Sequence, residues 1–358
     1  MAPFDATPTR IRIEGDCIVG ARTIYQHLSN PIRFALFGAI VSLYCLATDV
    51  YCAQQQNIHD LFSITFPSET QGWACGRFGT ILHGTEGGSK WTAQKSGTRR
   101  TLTQIHFVDT HNGWAVGDKG TILHTADGGQ HWVAQESPVD LFLMGVHFVD
   151  AEKGWAVGER TTILHTADGG KTWQVQISGE DYYLKRVSFC DDQNGWAVGE
   201  FGYTYHTVDG GANWVHQAGF FGISEETGRI EGDIFRFDVL AVDPMTAWVV
   251  GIDGYIQKTL DGGKTWQTLT QAGSVPGQQI FAIASAQDRV YIGGNRLLLA
   301  SSDGGQTFNE PDVQPPVTYG WIYDIGPRGS AGFVAVGKGG WIYLSDAGGN
   351  SWRRIESR

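Results

Sequence analysis

From residue 59 to 358, short apolar runs alternate with Gly- and Asp-rich turns, and the pattern repeats about every 40 residues. The third copy shows it plainly. Residues 141–149 are apolar with partial alternation, as a strand with one buried face requires. Residues 150–154 make a turn, Trp155-Ala156-Val157-Gly158 a short tight strand, and Glu159-Arg160 a connection. A third strand is predicted over 161–166, an Asp168-Gly169-Gly170 turn follows, and 173–177 completes the unit. Four short strands with turn chemistry between them predict one antiparallel sheet. Glycine reaches the positive φ that tight hairpins need, and an Asp carboxylate can accept backbone N–H groups ahead of it and lock the turn.

The aromatic residue closing the turn recurs at Trp91, Trp132, Trp173, Trp214, Trp266, Phe308 and Trp352, at intervals of 41, 41, 41, 52, 42 and 44 residues. Such a period marks a repeat architecture. A four-stranded sheet of this size cannot bury both faces alone, whereas sheets arranged radially cover one another. The predicted fold is therefore all-β: a seven-bladed β-propeller over 59–358, with four antiparallel strands per blade. The ring is expected to close by packing of blade 1, from Leu61, on blade 7, which ends near Ile355, without a swapped strand. Eleven of the thirteen tryptophans occupy repeat positions, so they are expected to pack in the seams between blades. The copies depart from the pattern at Glu86, at Ala347 in the Asp position, at Phe308 and Tyr291 in Trp positions, and in extra residues around 219–237 before the first strand of blade 5.

Ahead of the repeats, 34–47 is an uncharged, mostly apolar run flanked by Arg33 and Asp49. A membrane-spanning helix needs about 20 residues. The run fits the core of a signal peptide within a leader of 1–53, with an uncleaved anchor as the alternative. The repeats are thus expected to be exported, to a periplasm or its thylakoid-lumen equivalent. Three of the five cysteines (Cys17, Cys45, Cys52) lie in this leader. Cys75 and Cys190 sit in different repeats, and Cys75 stands where the second copy has Val116, as a small core residue.

From residue 59 onward, 22 Lys and Arg face 33 Asp and Glu, a net charge of −11. Nucleic-acid binding calls for a basic stripe, and none is visible; an anionic membrane would repel the body as a whole. His83, His124, His165 and His206 recur at one strand-three position. Equivalent residues in neighbouring blades stand about 10 Å apart, too far for metal bonds of about 2 Å, so these are read as structural. The motif acids Asp127, Asp168, Asp209, Asp261 and Asp303 are read as turn locks. No phosphate-binding loop leads from a strand into a helix, and no cofactor or metal is expected.

Gly113-Trp114-Ala115-Val116-Gly117, followed by Gly120 to Gly129 with its Asp127-Gly128-Gly129 turn, resembles the repeat of the photosystem II stability and assembly factor family. The resemblance implies an exported seven-bladed propeller without catalytic activity that binds a newly made reaction-centre subunit through an arginine-bearing surface. In this chain Arg77, Arg99, Arg100, Arg160 and Arg186 gather in the first four blades. The Asp-box turn also resembles that of sialidases, which implies a glycan-binding or hydrolysing alternative in which Glu159, Glu200 and Asp253 supply carboxylates. A scaffold for a non-photosynthetic membrane complex is the third reading.

Propellers present partners to loops that vary on a constant frame. The strand 2–3 and strand 4–1 connections are therefore the expected binding face, with Arg77, Phe78, Arg99, Arg100, Lys119, Arg160, Tyr182, Tyr183, Phe201, Arg229, Arg236 and Arg296 as candidate contacts. The expected partner is a protein, a subunit of a membrane complex, and the chain itself is expected to be a monomer.

Overall fold

The computed structural model describes residues 59–269, 277–286 and 288–355. The leader, its apolar run 34–47 and its three cysteines lie outside the described residues. Among the described residues no helix is long and apolar enough to cross a membrane.

Seven blade sheets follow one another along the described residues, with a separate two-stranded hairpin between the fourth and fifth. Blade 3 consists of Leu143–Phe148, Gly154–Gly158, Ile163–Thr166 and Gln174–Ile177 in meander order. The third strand starts later than the pattern predicts because Glu159–Thr161 forms a 3-10 turn, with Arg160 at φ +58°. Blades 1, 2, 4 and 5 repeat this plan. Blade 6 departs from it. Its sheet has three strands (Ile280–Ala286, Arg289–Gly294, Leu297–Ser301), and the fourth is reduced to one bridge, Ala300 to Asn309. Pro311 follows at once and has no N–H to continue the ladder. The chain leaves for the next blade, where Asp312–Gln314 pairs in parallel with Ser351–Ile355 as a fifth strand on the outer edge of blade 7.

The core is a set of seams. Each of seven buried apolar clusters joins two neighbouring blades. The one uniting Leu61, Ile64 and Trp91 with Val334, Val336 and Ile342 closes the ring between blades 1 and 7. Among the described residues no strand is exchanged there.

The Gly-Trp-Ala-Val-Gly strand is explained by its place in the seam. Trp114 is fully buried and stacks on Phe148 of the next blade, with centroids 3.6 Å apart. Phe148 lies flat against Gly154, where a Cβ would come within 2.5 Å of its ring. At the other end, a Cβ on Gly158 would meet the Phe142 carbonyl oxygen at 2.1 Å. Both glycines thus serve close approach. Trp73 on Phe107 and Trp155 on Phe189 repeat the stack.

The Asp box locks its own turn and also ties neighbouring blades together. Asp168 accepts the Thr172 N–H (2.9 Å) and hydroxyl (2.7 Å), while Thr166 Oγ1 accepts the Gly170 N–H (2.8 Å). The Thr172 hydrogen bonds hold the Asp168 carboxyl down at about 2. With the turn fixed, the Gly169 carbonyl points back to the preceding blade and accepts from Trp114 Nε1 (3.1 Å) and Gln135 Nε2 (2.8 Å). Gln135 Oε1 in turn accepts from Trp173 Nε1 (3.1 Å). Tyr291, in a Trp position, makes the equivalent bond through its hydroxyl to Gly349 O (2.7 Å). The expectation for blade 7 needs correction. Ala347 occupies the Asp position, but Asp346 performs the lock one residue earlier, accepting from Asn350 N (2.9 Å) and Ser351 Oγ (2.8 Å). The four regular histidines lie against the strand-two tryptophans, with centroids 4.2–5.2 Å apart.

Candidate protein-docking face

Every blade carries a β-bulge at the second residue of its first strand. A bulge re-aims side chains, and here it lets two consecutive residues of each innermost strand line the ring axis. The second residues are Phe62, Thr103, Met144, Lys185, Phe237, Phe281 and Tyr323. They surround a cavity of about 630 Å³ that opens among the strand 2–3 and 4–1 connections, with Arg77, Thr101, Asp118 and Phe142 at its mouth and Arg186 reaching in from below.

The cavity wall is two-sided. Blades 5, 6, 7 and 1 supply an unbroken aromatic arc, Phe237–Phe281–Tyr323–Phe62, with centroid spacings of 5.3, 5.7 and 5.2 Å. Trp321 extends it outward, 5.7 Å from Tyr323. Blades 2–4 supply Thr103, Met144 and Lys185. Two cations flank the mouth. Arg77 pairs with Asp60 (3.2 Å) and lies 5.8 Å over the Phe62 ring; Lys185 pairs with Glu200 (3.0 Å) and lies 4.6 Å over Tyr183.

The third residues of the inner strands form the floor. Arg186 is buried and pairs with Asp238 (3.4 Å) and Asp324 (3.4 Å), joining blade 4 to blades 5 and 7. Asp238 also accepts Ile283 N of blade 6 (2.9 Å), and Asp324 accepts Ile64 N of blade 1 (3.0 Å). Gln104 does the same for Val146 N between blades 2 and 3 (2.7 Å). Burial pushes the Asp238 carboxyl up to about 7 against the pull of Arg186.

Beneath this floor a second cavity of about 340 Å³ opens to the opposite face and holds His106 and His147, with ring centroids 4.7 Å apart. His106 Nε2 donates to the Phe148 carbonyl (2.9 Å), yet burial pulls its pKa down to about 4; burial and its neighbour pull His147 well below the usual range. An unfolded histidine titrates near 6.5. Between about pH 6.5 and 4 the unfolded chain therefore takes up protons that the folded chain refuses, and these histidines cost stability as pH falls. Asp238 acts in the opposite sense, so the test is a difference. Urea unfolding of the wild type and of His106→Gln at pH 6.5 and 4.5 should show the wild type losing more stability on acidification.

The structure brings some sequence candidates together and separates others. Arg77 lines the cavity. Arg100 Nη1 donates to the Lys119 carbonyl (3.0 Å), and Arg99, Lys119 and Arg160 are exposed around it on blades 1–3. Phe78, Lys119, Arg160, Phe201 and Arg296 all have positive φ, at the crest of the strand 2–3 turns. Tyr182, Tyr183 and Phe201 gather on blade 4, with Arg229 on the nearby blade 5 insertion. Arg296 is exposed on blade 6, donating to Thr318 O (2.9 Å). Arg236 is a correction: it is 2 % exposed, bonded to Thr204 and Gln257, and 5.5 Å over Trp266, so it is a seam residue with no free surface.

Sequence reasoning missed the axial ring. Its signal is present in the aligned repeats. The first residue of the innermost strand is Leu or Ile in six blades, while the second runs through Phe, Thr, Met, Lys, Phe, Phe and Tyr.

Seven blades in a ring, six of them locked by an Asp turn, define a seven-bladed β-propeller with an aromatic, cation-flanked cavity on its variable face. The chain belongs to the photosynthesis system II assembly factor YCF48 family, whose model matches residues 90–141, 132–218 and 224–357. Among solved structures it is similar to "YCF48 bound to D1 peptide" (TM-score 0.65, 19% identity, covering 84% of this chain and 95% of that one). It is also similar to YCF48 from Cyanidioschyzon merolae (TM-score 0.64, 18% identity, 80% and 95%). A third likeness is to the GH74 xyloglucanase from Xanthomonas campestris (TM-score 0.66, 12% identity), where the match covers 84% of this chain but 55% of the enzyme. No curated protein matches the chain.

Proposed function

We propose that this chain is a non-catalytic, exported assembly factor that docks a polypeptide segment of a membrane-complex subunit at the axial cavity of its loop face. The observation that carries this reading is the aromatic arc Phe237–Phe281–Tyr323–Phe62 facing Met144, with Arg77 and Lys185 at the mouth. Partly exposed aromatics beside cations are the usual anchors of protein interfaces. The YCF48 family supports the same reading, as does the solved relative bound to a D1 peptide. Export is inferred from the apolar run 34–47.

The glycan alternative draws on the same arc, since aromatic faces stack on sugar rings, and on the xyloglucanase likeness. Two of the three carboxylates it would use are engaged elsewhere, while Asp253 is exposed at the crest of its turn. Glu159 accepts Phe142 N (3.1 Å), and Glu200 holds Lys185 and accepts Tyr183 N (3.2 Å). A sialidase needs three convergent arginines; the cavity has Arg77 and Arg186, and Arg186 is held by two aspartates.

The test is affinity capture from native membranes with the full chain and with Phe281→Ser/Tyr323→Ser. The wild type should retain a membrane-complex subunit, and the double variant should retain at least about tenfold less. Equal recovery by both proteins would remove the cavity from the mechanism. Saturable binding of xyloglucan oligosaccharides, lost in the same variant, would favour the glycan reading.

A further inference from the structure

The interval of 52 residues before Trp266, against 41 in the three preceding copies, is taken up by a small hairpin, Phe221–Ile223 paired with Ile230–Gly232. Phe220 N donates to Phe201 O (3.1 Å), pinning the base of the hairpin to the strand 2–3 turn of blade 4, and Asp233 N donates to Phe220 O (3.0 Å), closing it. Phe221 packs on Phe201 (4.3 Å), and Phe201 stands edge-on to Tyr182, which stacks on Tyr203 (4.0 Å).

This aromatic surface is left open. Phe220 is 55% exposed, Phe221 43% and Ile223 69%, three large apolar side chains within four residues. A Cβ built on Gly222, on the other side of the strand, meets nothing within 4 Å. Isolated exposed apolar residues are ordinary, but a contiguous patch rimmed by polar groups marks an interaction surface. The rim here is acidic. Glu180, Asp181, Glu225, Glu226 and Glu231 are exposed around it, against Arg229 as the one exposed cation of the hairpin. Tyr182 Oη donates to Glu180 (3.2 Å), drawing that carboxylate to the aromatic edge.

We propose that the hairpin and the blade 4 turn beneath it form a second docking surface, for a lysine- or arginine-rich segment of another protein carrying an apolar anchor. The charge selects the occupant. The five carboxylates repel an anionic membrane, and a second copy of a chain of net charge −11 would bring like charge against like. A basic segment neutralises the rim while its apolar side chain covers Phe221 and Ile223 on one side of the strand, next to Phe220 at its edge. The site does not depend on the axial cavity, whose mouth carries cations.

The experiment titrates the full chain into a fluorescein-labelled synthetic peptide of six lysines around a Leu-Phe-Leu core, and into the same peptide with glutamates for lysines. The lysine peptide should bind and weaken steeply with added salt. Phe220→Ser/Phe221→Ser and, separately, Glu225→Gln/Glu226→Gln/Glu231→Gln should each lower its affinity at least about tenfold. Arg77→Glu should leave it unchanged, which separates this surface from the cavity. The three glutamates are exposed, so the glutamine variant should keep the wild-type melting temperature; the serine variant gives up the Phe221–Phe201 contact and should melt only slightly lower. Equal binding of the glutamate peptide overturns the proposal. So does wild-type affinity in either hairpin variant, or hairpin-dependent retention on vesicles containing phosphatidylserine.

Discussion

Trp155→Ala should lower the free energy of unfolding by about 3–5 kcal/mol, as deletion of a fully buried aromatic side chain does. Trp155 is fully buried, stacks on Phe189 at 3.6 Å and donates from Nε1 to Gly210 O (3.2 Å). The substitution opens a void in the seam between blades 3 and 4 and removes the donor that fixes the next Asp box. Trp155→Phe keeps a ring in the stack and loses the hydrogen bond, so it should cost about 1–3 kcal/mol. Trp321→Ala is the control. That residue is 39% exposed and lies outside the repeat positions, so its effect on stability should be well under that of Trp155. Urea unfolding at pH 7 followed by circular dichroism measures all three. A Trp155→Ala loss no larger than that of Trp321→Ala would show that the seams do not hold the ring.

The second large effect is expected at the floor of the cavity. Arg186→Met leaves Asp238 and Asp324 buried without their cation, and breaking one side of a buried ion pair costs about 3–5 kcal/mol. The cost should depend on pH with a definite sign. Asp238 already sits at about 7 through burial, above the ordinary carboxyl range, and loss of the arginine pushes it higher. With its pKa raised further, the Asp238 carboxyl of the variant takes up its proton at higher pH than that of the wild type, so the deficit of Arg186→Met should shrink as pH falls from about 9 to about 7 and level off below. Adding Asp238→Asn and Asp324→Asn removes the stranded charges while amide oxygens still accept the Ile283 and Ile64 N–H groups, and should restore most of the loss at pH 7. A pH-independent deficit, or no recovery in the triple variant, would mean that Arg186 acts through packing alone.

Legibility from sequence differed sharply between the frame and the site. The Asp box could be read because it is local: Thr166, Asp168, Gly170 and Thr172 make their bonds within a few residues of one another. In blade 7 the lock is shifted by one residue: Asp346, before Ala347, accepts from Asn350 N and Ser351 Oγ, two residues in place of the single Thr172 that serves Asp168. The hairpin ahead of blade 5 was visible as extra length, and Tyr182, Phe201 and Arg229 were found with it. Arg236 was misassigned because its position, at the start of an innermost strand, is Leu or Ile in the other six blades; that comparison carries the warning that an arginine there is buried.

The chain by itself determined the number of blades, their boundaries and the residues of the seams, because strand periodicity, turn chemistry and a 41-residue interval are properties of neighbouring residues. Tertiary structure alone decided what faces the axis. A bulge in each innermost strand turns two consecutive side chains inward, and the ring brings residues as far apart as Ile64 and Asp324, 260 positions in sequence, into one hydrogen bond. The aromatic arc and the Arg186 floor arise from that closure: each blade contributes one or two side chains, and only seven blades in a ring make them a cavity.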